Sequence, residues 1–168
     1  MSHHTGGQSR QPVLFLDFDG VLNDHSTYRT YDHRGLRHPL EPRLIRAVGD
    51  LVKTVDGRIV LSTAWRHAYP LSVLTPILAS GIDEWRIIGS TPKGRTRGRE
   101  IEAWLQAHVQ TARVAVLDDQ DVGPFDMAPM RPWFVQTRDG VTADHLQRVE
   151  RLMTAGTPWT RAEKRRAA

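Results

Sequence analysis

Val13-Leu14-Phe15-Leu16-Asp17-Phe18-Asp19-Gly20-Val21-Leu22-Asn23 runs four apolar residues straight into two acids spaced i, i+2, followed by a glycine. A short apolar run closed by turn residues predicts a strand buried on both faces of a parallel sheet. Carboxylates at the C-terminal end of such a strand stand where open α/β sheets place their ligands. Two acids that close repel each other, which points to a bound cation.

Working outward, the strand-to-polar-end pattern recurs twice. Arg58-Ile59-Val60-Leu61 leads into Ser62-Thr63, and Arg113-Val114-Ala115-Val116-Leu117 leads into Asp118-Asp119. Arg86-Ile87-Ile88 and Trp133-Phe134-Val135 read as shorter strands. Between them lie helical stripes. Pro42 suits a first helical turn, and Leu44, Ile45, Val48, Leu51 and Val52 then recur at i, i+3, i+4 until Asp56-Gly57. Pro70 to Ala79 reads as a helix despite Pro76, with Gly81 as its stop. Glu100 to about Val109 is a third, and Thr142 caps a last helix carrying Leu146, Val149 and Leu152. Asp24 to Gly35, polar and aromatic without a period, reads as a loop or small flap, and Gln120 to Arg131 as a loop.

Strands alternating with helices predict an α/β fold, a three-layer α/β/α sandwich around a mainly parallel five-stranded sheet. The C-terminal ends of parallel strands share one rim. Asp17 and Asp19, Ser62 and Thr63, and Asp118 and Asp119 therefore converge by topology alone.

The bulk numbers fit one soluble domain of 168 residues, with 39% hydrophobic and 25% charged residues. No cysteine is present, which removes disulfides and thiolate zinc sites. No apolar run approaches the roughly 18 residues of a membrane span, and the start carries no signal-like apolar segment. A cytoplasmic protein without a membrane or stable protein partner is the expectation. The formal charge of +4 suits a phosphate-rich partner and equally an arginine-rich proteome. Residues 1–11 read as a disordered tail and 157–168 as a basic tail, leaving 12–156 as the domain.

A structural turn on Asp19-Gly20 would leave the coincidence of Asp17 with Asp118-Asp119 unexplained, whereas metal-assisted phosphoryl transfer is a chemistry the rim residues could support. Mg²⁺ takes few protein carboxylates, several waters and a substrate phosphate oxygen. Asp17 with one acid of the Asp118-Asp119 pair and a backbone carbonyl would supply such a site. With phosphate charge neutralised, a carboxylate can attack as nucleophile. An acid two residues on can protonate the leaving oxygen and later activate water. A hydroxyl and N–H groups at Ser62-Thr63, with an arginine of the 93–99 loop, would hold the other phosphate oxygens. A calcium loop fits poorly, because its fifth position would be Val21 and its flank is a strand.

Asp17-Phe18-Asp19-Gly20-Val21-Leu22 resembles the first motif of the haloacid dehalogenase-like (HAD) superfamily of Mg²⁺-dependent phosphohydrolases. Ile59-Val60-Leu61-Ser62 resembles its second motif and Val116-Leu117-Asp118-Asp119 its fourth. A narrower likeness joins Leu61-Ser62-Thr63-Ala64-Trp65-Arg66, Arg97-Gly98-Arg99-Glu100-Ile101-Glu102-Ala103-Trp104-Leu105 and Leu117-Asp118-Asp119. Together with Phe134-Val135-Gln136-Thr137 and Gly140-Val141-Thr142, they resemble the HAD domains of RNA-repair (Swiss Army Knife) proteins and the phosphatase half of polynucleotide kinase-phosphatases.

The resemblance implies Asp17 as the nucleophile forming an aspartyl-phosphate and Asp19 as general acid/base, its carbonyl also a metal ligand. It implies Ser62, or Thr63 one place on, as phosphate binder. Asp119 is implied as the first acid on Mg²⁺ with Asp118 its neighbour. The third-motif cation falls among Lys93, Arg95, Arg97 and Arg99, with Arg97 preferred and Arg99 next. Arg66 is a further phosphate-clamp candidate, or else an ion-pair partner.

In this superfamily a large cap encloses small substrates, and here both cap positions are lean. A minimal or absent cap leaves an open site that suits a phosphomonoester on a nucleotide or on an RNA or DNA end. Tyr28 and Tyr31 could stack on a base or pack the flap. His25, His33 and His38 lack the spacing of a zinc site. Trp65, Trp85, Trp104, Trp133 and Trp159 read as packing residues. A phosphotransferase using the same aspartyl-phosphate, and a non-catalytic nucleic-acid-binding module, are the rival readings.

Overall fold

The computed structural model describes residues 11–120 and 126–162. In chain order the elements are β1 (Val13–Leu16), α1 (His25–Thr30), α2 (Pro42–Thr54), β2 (Arg58–Leu61), α3 (Leu71–Ile77) and β3 (Ile87–Ser90). There follow α4 (Arg97–His108), β4 (Thr111–Ala112), β5 (Val114–Asp118), β6 (Phe134–Gln136), α5 (Ala143–Ala155) and β7 (Trp159–Thr160). Five strands pair in the order β3-β2-β1-β5-β6, each pair parallel. The expected α/β sandwich is the fold of the chain.

Strand alternation sorts the core into two layers. Leu14 and Leu16 of β1 pack with Leu44, Val48, Leu74 and Val149 of α2, α3 and α5. Val13 and Phe15 point the other way, against Ile101, Trp104 and Leu105 of α4 and against Trp159. The Trp104 ring meets Phe15 edge-on at 5.6 Å. Burying each such side chain contributes roughly 1.5–3 kcal/mol, so both faces of β1 are committed and its register cannot slip.

That register builds the rim. Leu16 lies level with Leu61 and with Leu117. The next residues, Asp17, Ser62 and Asp118, therefore form one row across three strands. Asp17 N–H donates to the Leu117 carbonyl at 3.0 Å and Ser62 N–H to the Leu16 carbonyl at 2.9 Å, carrying the ladder to that row. By alternation, all three side chains belong to the α4 side of the sheet.

Three local expectations change. The stretch after Asn23 holds a short helix, α1, because Asp24 caps it by accepting from Thr27 N–H at 2.7 Å and from the Thr27 hydroxyl at 2.8 Å. Only Thr27 of that helix is buried, so no apolar period announced it. Helix α4 starts at Arg97 rather than Glu100, because Thr96 caps it through Arg99 N–H. Past 157, the expected basic tail first adds β7, antiparallel to β4, with Trp159 buried. Residues 163–168, 1–10 of the N-terminal stretch and 121–125 of the Gln120–Arg131 loop lie outside the described residues. Between β1 and α2 stand only α1 and its loop, so no domain is inserted at that position.

Candidate active site

Asp17, Asp118 and Asp119 each offer a carboxylate oxygen, and these oxygens lie within 4.8 Å of one another. Asp17 and Asp118 are buried at the ends of β1 and β5. Asp17 also accepts from Phe18 N–H at 2.8 Å, and Asp118 from Gln120 N–H at 2.9 Å. Burial, together with the charge of Asp118, pushes the Asp17 carboxyl up to about 8. Burial likewise raises Asp118 and Asp119, the latter also through the charges of Asp118 and Asp19. Such shifts mark groups that a cation would return to the ionised form.

Asp119 is held against the loop after Asp19. Gly20 sits at φ +68°, and a Cβ there would overlap the Asp119 side chain. Glycine alone satisfies both conditions. The Gly20 carbonyl accepts from the Thr137 hydroxyl at 2.7 Å and from Gly140 N–H at 2.9 Å, which ties this turn to the segment after β6.

Arg97 is the basic-loop residue that reaches the site. As the first residue of α4 it extends Nη1 to 3.6 Å from Asp17 and 3.3 Å from Asp118. Lys93 and Arg95 are exposed. Arg99, also exposed, pairs with Glu102 at 2.9 Å on the outer face of the helix. Arg66, a candidate phosphate clamp, is turned inward instead. Its N–H groups go to the carbonyls of Ser62, Thr63, Thr91 and Pro92 and to Glu100. Every donor of the guanidinium is thus taken, and Arg66 fixes the backbone at the C-terminal end of β2.

Ser62 and Thr63 separate in the same way. The Thr63 hydroxyl accepts from Trp65 N–H and caps a short 3-10 turn over 64–67. Ser62 Oγ is buried without a hydrogen-bond partner. The buried orphans also include Thr91 Oγ1, Arg97 Nη1, Asp118 Oδ2 and Gln120 Oε1. Thr91 N–H bonds to the Leu61 carbonyl, so Thr91 stands beside Ser62 on the rim. Arg97 Nη1 and Asp118 Oδ2 face each other at 3.3 Å as an ion pair without a hydrogen bond. Unpaired buried polar groups are costly, and Ser62, Thr91 and Gln120 beside that pair fit a bound anion and cation.

Charge gives the same answer. Asp17, Asp118 and Asp119, with Asp19 close enough to raise Asp119, outnumber the arginines Arg66 and Arg97 at the rim even with Glu100 committed to Arg66. A cation would relieve that excess, and an all-oxygen donor set suits Mg²⁺.

Asp19, half-buried, stands at the mouth. Its Oδ2 accepts from Trp65 Nε1 at 2.8 Å and its Oδ1 from Asn23 Nδ2 at 3.1 Å. Asn23 also accepts from Gly20 N–H at 2.7 Å and donates to the Pro39 carbonyl at 2.8 Å. Trp65 therefore does more than pack. Glu100, Asn23 and Thr91 carry contacts that sequence reading did not assign. A buried acid four residues after the Thr96 cap was the available signal for Glu100. His25, His33 and His38 join no metal-competent cluster among the described residues.

Residues 13–146 match the family model described as the HAD domain in Swiss Army Knife RNA repair proteins. The chain belongs to that family. Among curated proteins, none matches it. Family membership places this HAD domain among the HAD-type phosphohydrolases. Its match covers every rim residue from Asp17 to Asp119 and the Thr137–Gly140 segment that braces Gly20. Among the described residues of the HAD domain, no helix is long and apolar enough to cross a membrane.

Proposed function

We propose that the chain is a Mg²⁺-dependent phosphomonoesterase working through an aspartyl-phosphate on Asp17. The observation that carries the reading is the Ser62–Asp17–Asp118 row with Arg97 over it, a nucleophile flanked by donors and by metal-competent acids.

Asp17, Asp118 and Asp119, with the Asp19 carbonyl, would hold Mg²⁺. When bound, the ion supplies positive charge that ionises Asp17 and offsets phosphate charge. The remaining steps fall to the protein's own groups. Ser62 Oγ–H and Arg97 N–H bind the phosphoryl oxygens and hold the phosphorus in line with Asp17. An Asp17 oxygen attacks phosphorus, and the bond from phosphorus to the ester oxygen breaks. Protonated Asp19 gives its proton to that leaving oxygen. Asp19, now a carboxylate, takes a proton from an incoming water that attacks the phosphorus of the aspartyl-phosphate. Inorganic phosphate leaves, Asp17 is restored, and Asp19 is protonated again. Trp65 and Asn23 keep the Asp19 carboxyl aimed at the mouth throughout.

The lean cap and open rim favour a phosphate carried by a nucleotide or a nucleic-acid end over a small enclosed metabolite. A phosphatase screen with and without Mg²⁺, covering glycerol phosphate, nucleotides and 3′- or 5′-phosphorylated oligonucleotides, tests the reading. Mg²⁺-dependent release of phosphate is expected. Salt-sensitive oligonucleotide binding without hydrolysis of any substrate would replace the enzyme reading with the binding-module one.

A further inference from the structure

In the proposed mechanism Asp19 protonates the leaving oxygen, so the leaving group must extend past Asp19. Asp19 lines two cavities: one carries Asp24, Asp119 and Asp139, an acidic lining that repels a second phosphate, and the other is built from aromatic rings. This aromatic cavity, of about 500 Å³, is lined by Tyr28, Tyr31, His38, Trp65 and Tyr69, with Arg37 on its wall. Among the described residues five large hydrophobic side chains are exposed, and three of them, Tyr28 (60%), Tyr69 (51%) and Val73 (45%), line this one cavity. Scattered exposed apolar residues need no explanation, whereas a gathered set beside a catalytic acid marks a binding surface. Ligand pockets run roughly 300–1,000 Å³, so one nucleoside fits and a duplex does not.

The cleft does not stop there. A further cavity of about 410 Å³ shares Arg37, His38, Val73 and Ile77 with the aromatic one. Arg37 thus stands at their junction, exposed, and among the described residues it enters no ion pair. Asp19 is the sole carboxylate on either lining. Flat rings followed by an unpaired guanidinium match a base followed by a phosphodiester.

We propose that the Tyr28–Tyr31–Trp65–Tyr69 cleft holds the base of a phosphate-bearing terminal nucleotide, with Arg37 on the next phosphodiester, so that the substrate is a single-stranded nucleic-acid end. This rests on the phosphomonoesterase reading above. It adds a specificity site that the chemistry itself does not require. A phosphotyrosine side chain is also planar, but a peptide offers no phosphodiester at the junction.

Steady-state kinetics on the whole chain with Mg²⁺ separate the two. The substrates are a dinucleotide phosphorylated at its 3′ or 5′ end, the matching mononucleotide, glycerol phosphate and a phosphotyrosine peptide. Wild type should prefer the dinucleotide. Tyr69→Ala, at an exposed position, should raise KM and cut kcat/KM about 10-fold for both nucleotides while leaving glycerol phosphate unchanged. Arg37→Ala should bring the dinucleotide down to the mononucleotide rate and leave the mononucleotide unchanged. An equal loss on glycerol phosphate, no loss on any substrate, or a wild-type preference for the peptide would overturn the cleft assignment while leaving the phosphatase standing. If no substrate is hydrolysed, the phosphatase reading fails, and tryptophan quenching by the same dinucleotide judges the cleft by itself. Quenching that is weakened in Tyr69→Ala supports it; no quenching overturns it.

Discussion

Arg97 Nη1 lies 3.3 Å from the Asp118 carboxylate while making no well-formed hydrogen bond of its own. It is a charge held in reserve beside two buried acids. Replacing it removes the counter-charge to Asp17 and Asp118 and, in the proposed mechanism, a donor to the phosphoryl group. Arg97→Gln should lower kcat about 100-fold or more and lower the melting temperature of the metal-free protein. Arg99→Gln, which loses only an exposed pair with Glu102, should leave both unchanged. Phosphate-release assays and thermal melts on the two variants check this.

Gly20 and Asp119 form a second matched pair. A methyl group at Gly20 must be carried at positive φ, where a side chain costs roughly 1–2 kcal/mol, and it must also displace Asp119. Gly20→Ala should therefore melt about 5 °C lower and bind Mg²⁺ more weakly. The Mg²⁺ dependence of activity should move to higher concentration. An unchanged Mg²⁺ titration would show that Asp119 does not hold the ion.

Glu100 is buried and joined to Arg66, within 4.0 Å of Arg97, and bonded to Gly94 N–H at 2.9 Å. Glu100→Gln leaves Arg66 with backbone carbonyls but no counter-charge. Breaking one partner of a buried pair costs about 3 kcal/mol, or about 9 °C in a domain of this size. Denaturant unfolding of the variant measures that loss directly.

Burial of the rim acids, with the repulsion of Asp17 and Asp119 by their neighbours, sets a pH dependence with a definite sign. In the folded metal-free protein the Asp17 carboxyl lies at about 8, against 3.8 as its ordinary value. The folded state therefore holds a proton that the unfolded chain releases, and stability falls as pH rises between those two values. Asp118 and Asp119, shifted the same way, add to the fall. Mg²⁺ at the proposed site would take the ionised acids, so its stabilising effect should grow with pH over the same window. Thermal melts at pH 5, 6, 7 and 8 with EDTA or Mg²⁺ should diverge as pH rises. Parallel curves would mean that Mg²⁺ binds elsewhere.

What could be read from sequence, and what could not, divides along physical lines. Val13–Leu16, Ile59–Leu61 and Val114–Leu117 are buried on both faces, so their composition alone marks them as central parallel strands. The acids that end two of them were legible for the same reason. Trp65 was not, because an indole reads as packing until its N–H is seen on Asp19. Arg66 looked like Arg97, since composition cannot show which guanidinium turns inward. Helix α1 was hidden because a cap at Asp24, not an apolar stripe, specifies it. Strand β7 was hidden because a two-residue pairing with β4 leaves no period to detect.

The central claim is that Asp17 carries the phosphoryl group, and chemical trapping tests it most directly. Wild-type protein is mixed with Mg²⁺ and a phosphomonoester it turns over, quenched rapidly into borohydride and digested for mass spectrometry. Reduction of an acyl phosphate converts the aspartate to homoserine. The account predicts that conversion in the peptide containing Asp17, absent without substrate and absent in an inactive Asp17→Asn variant. Conversion at Asp19 or Asp119 instead, or an Asp17→Asn variant that keeps the wild-type rate, would contradict it.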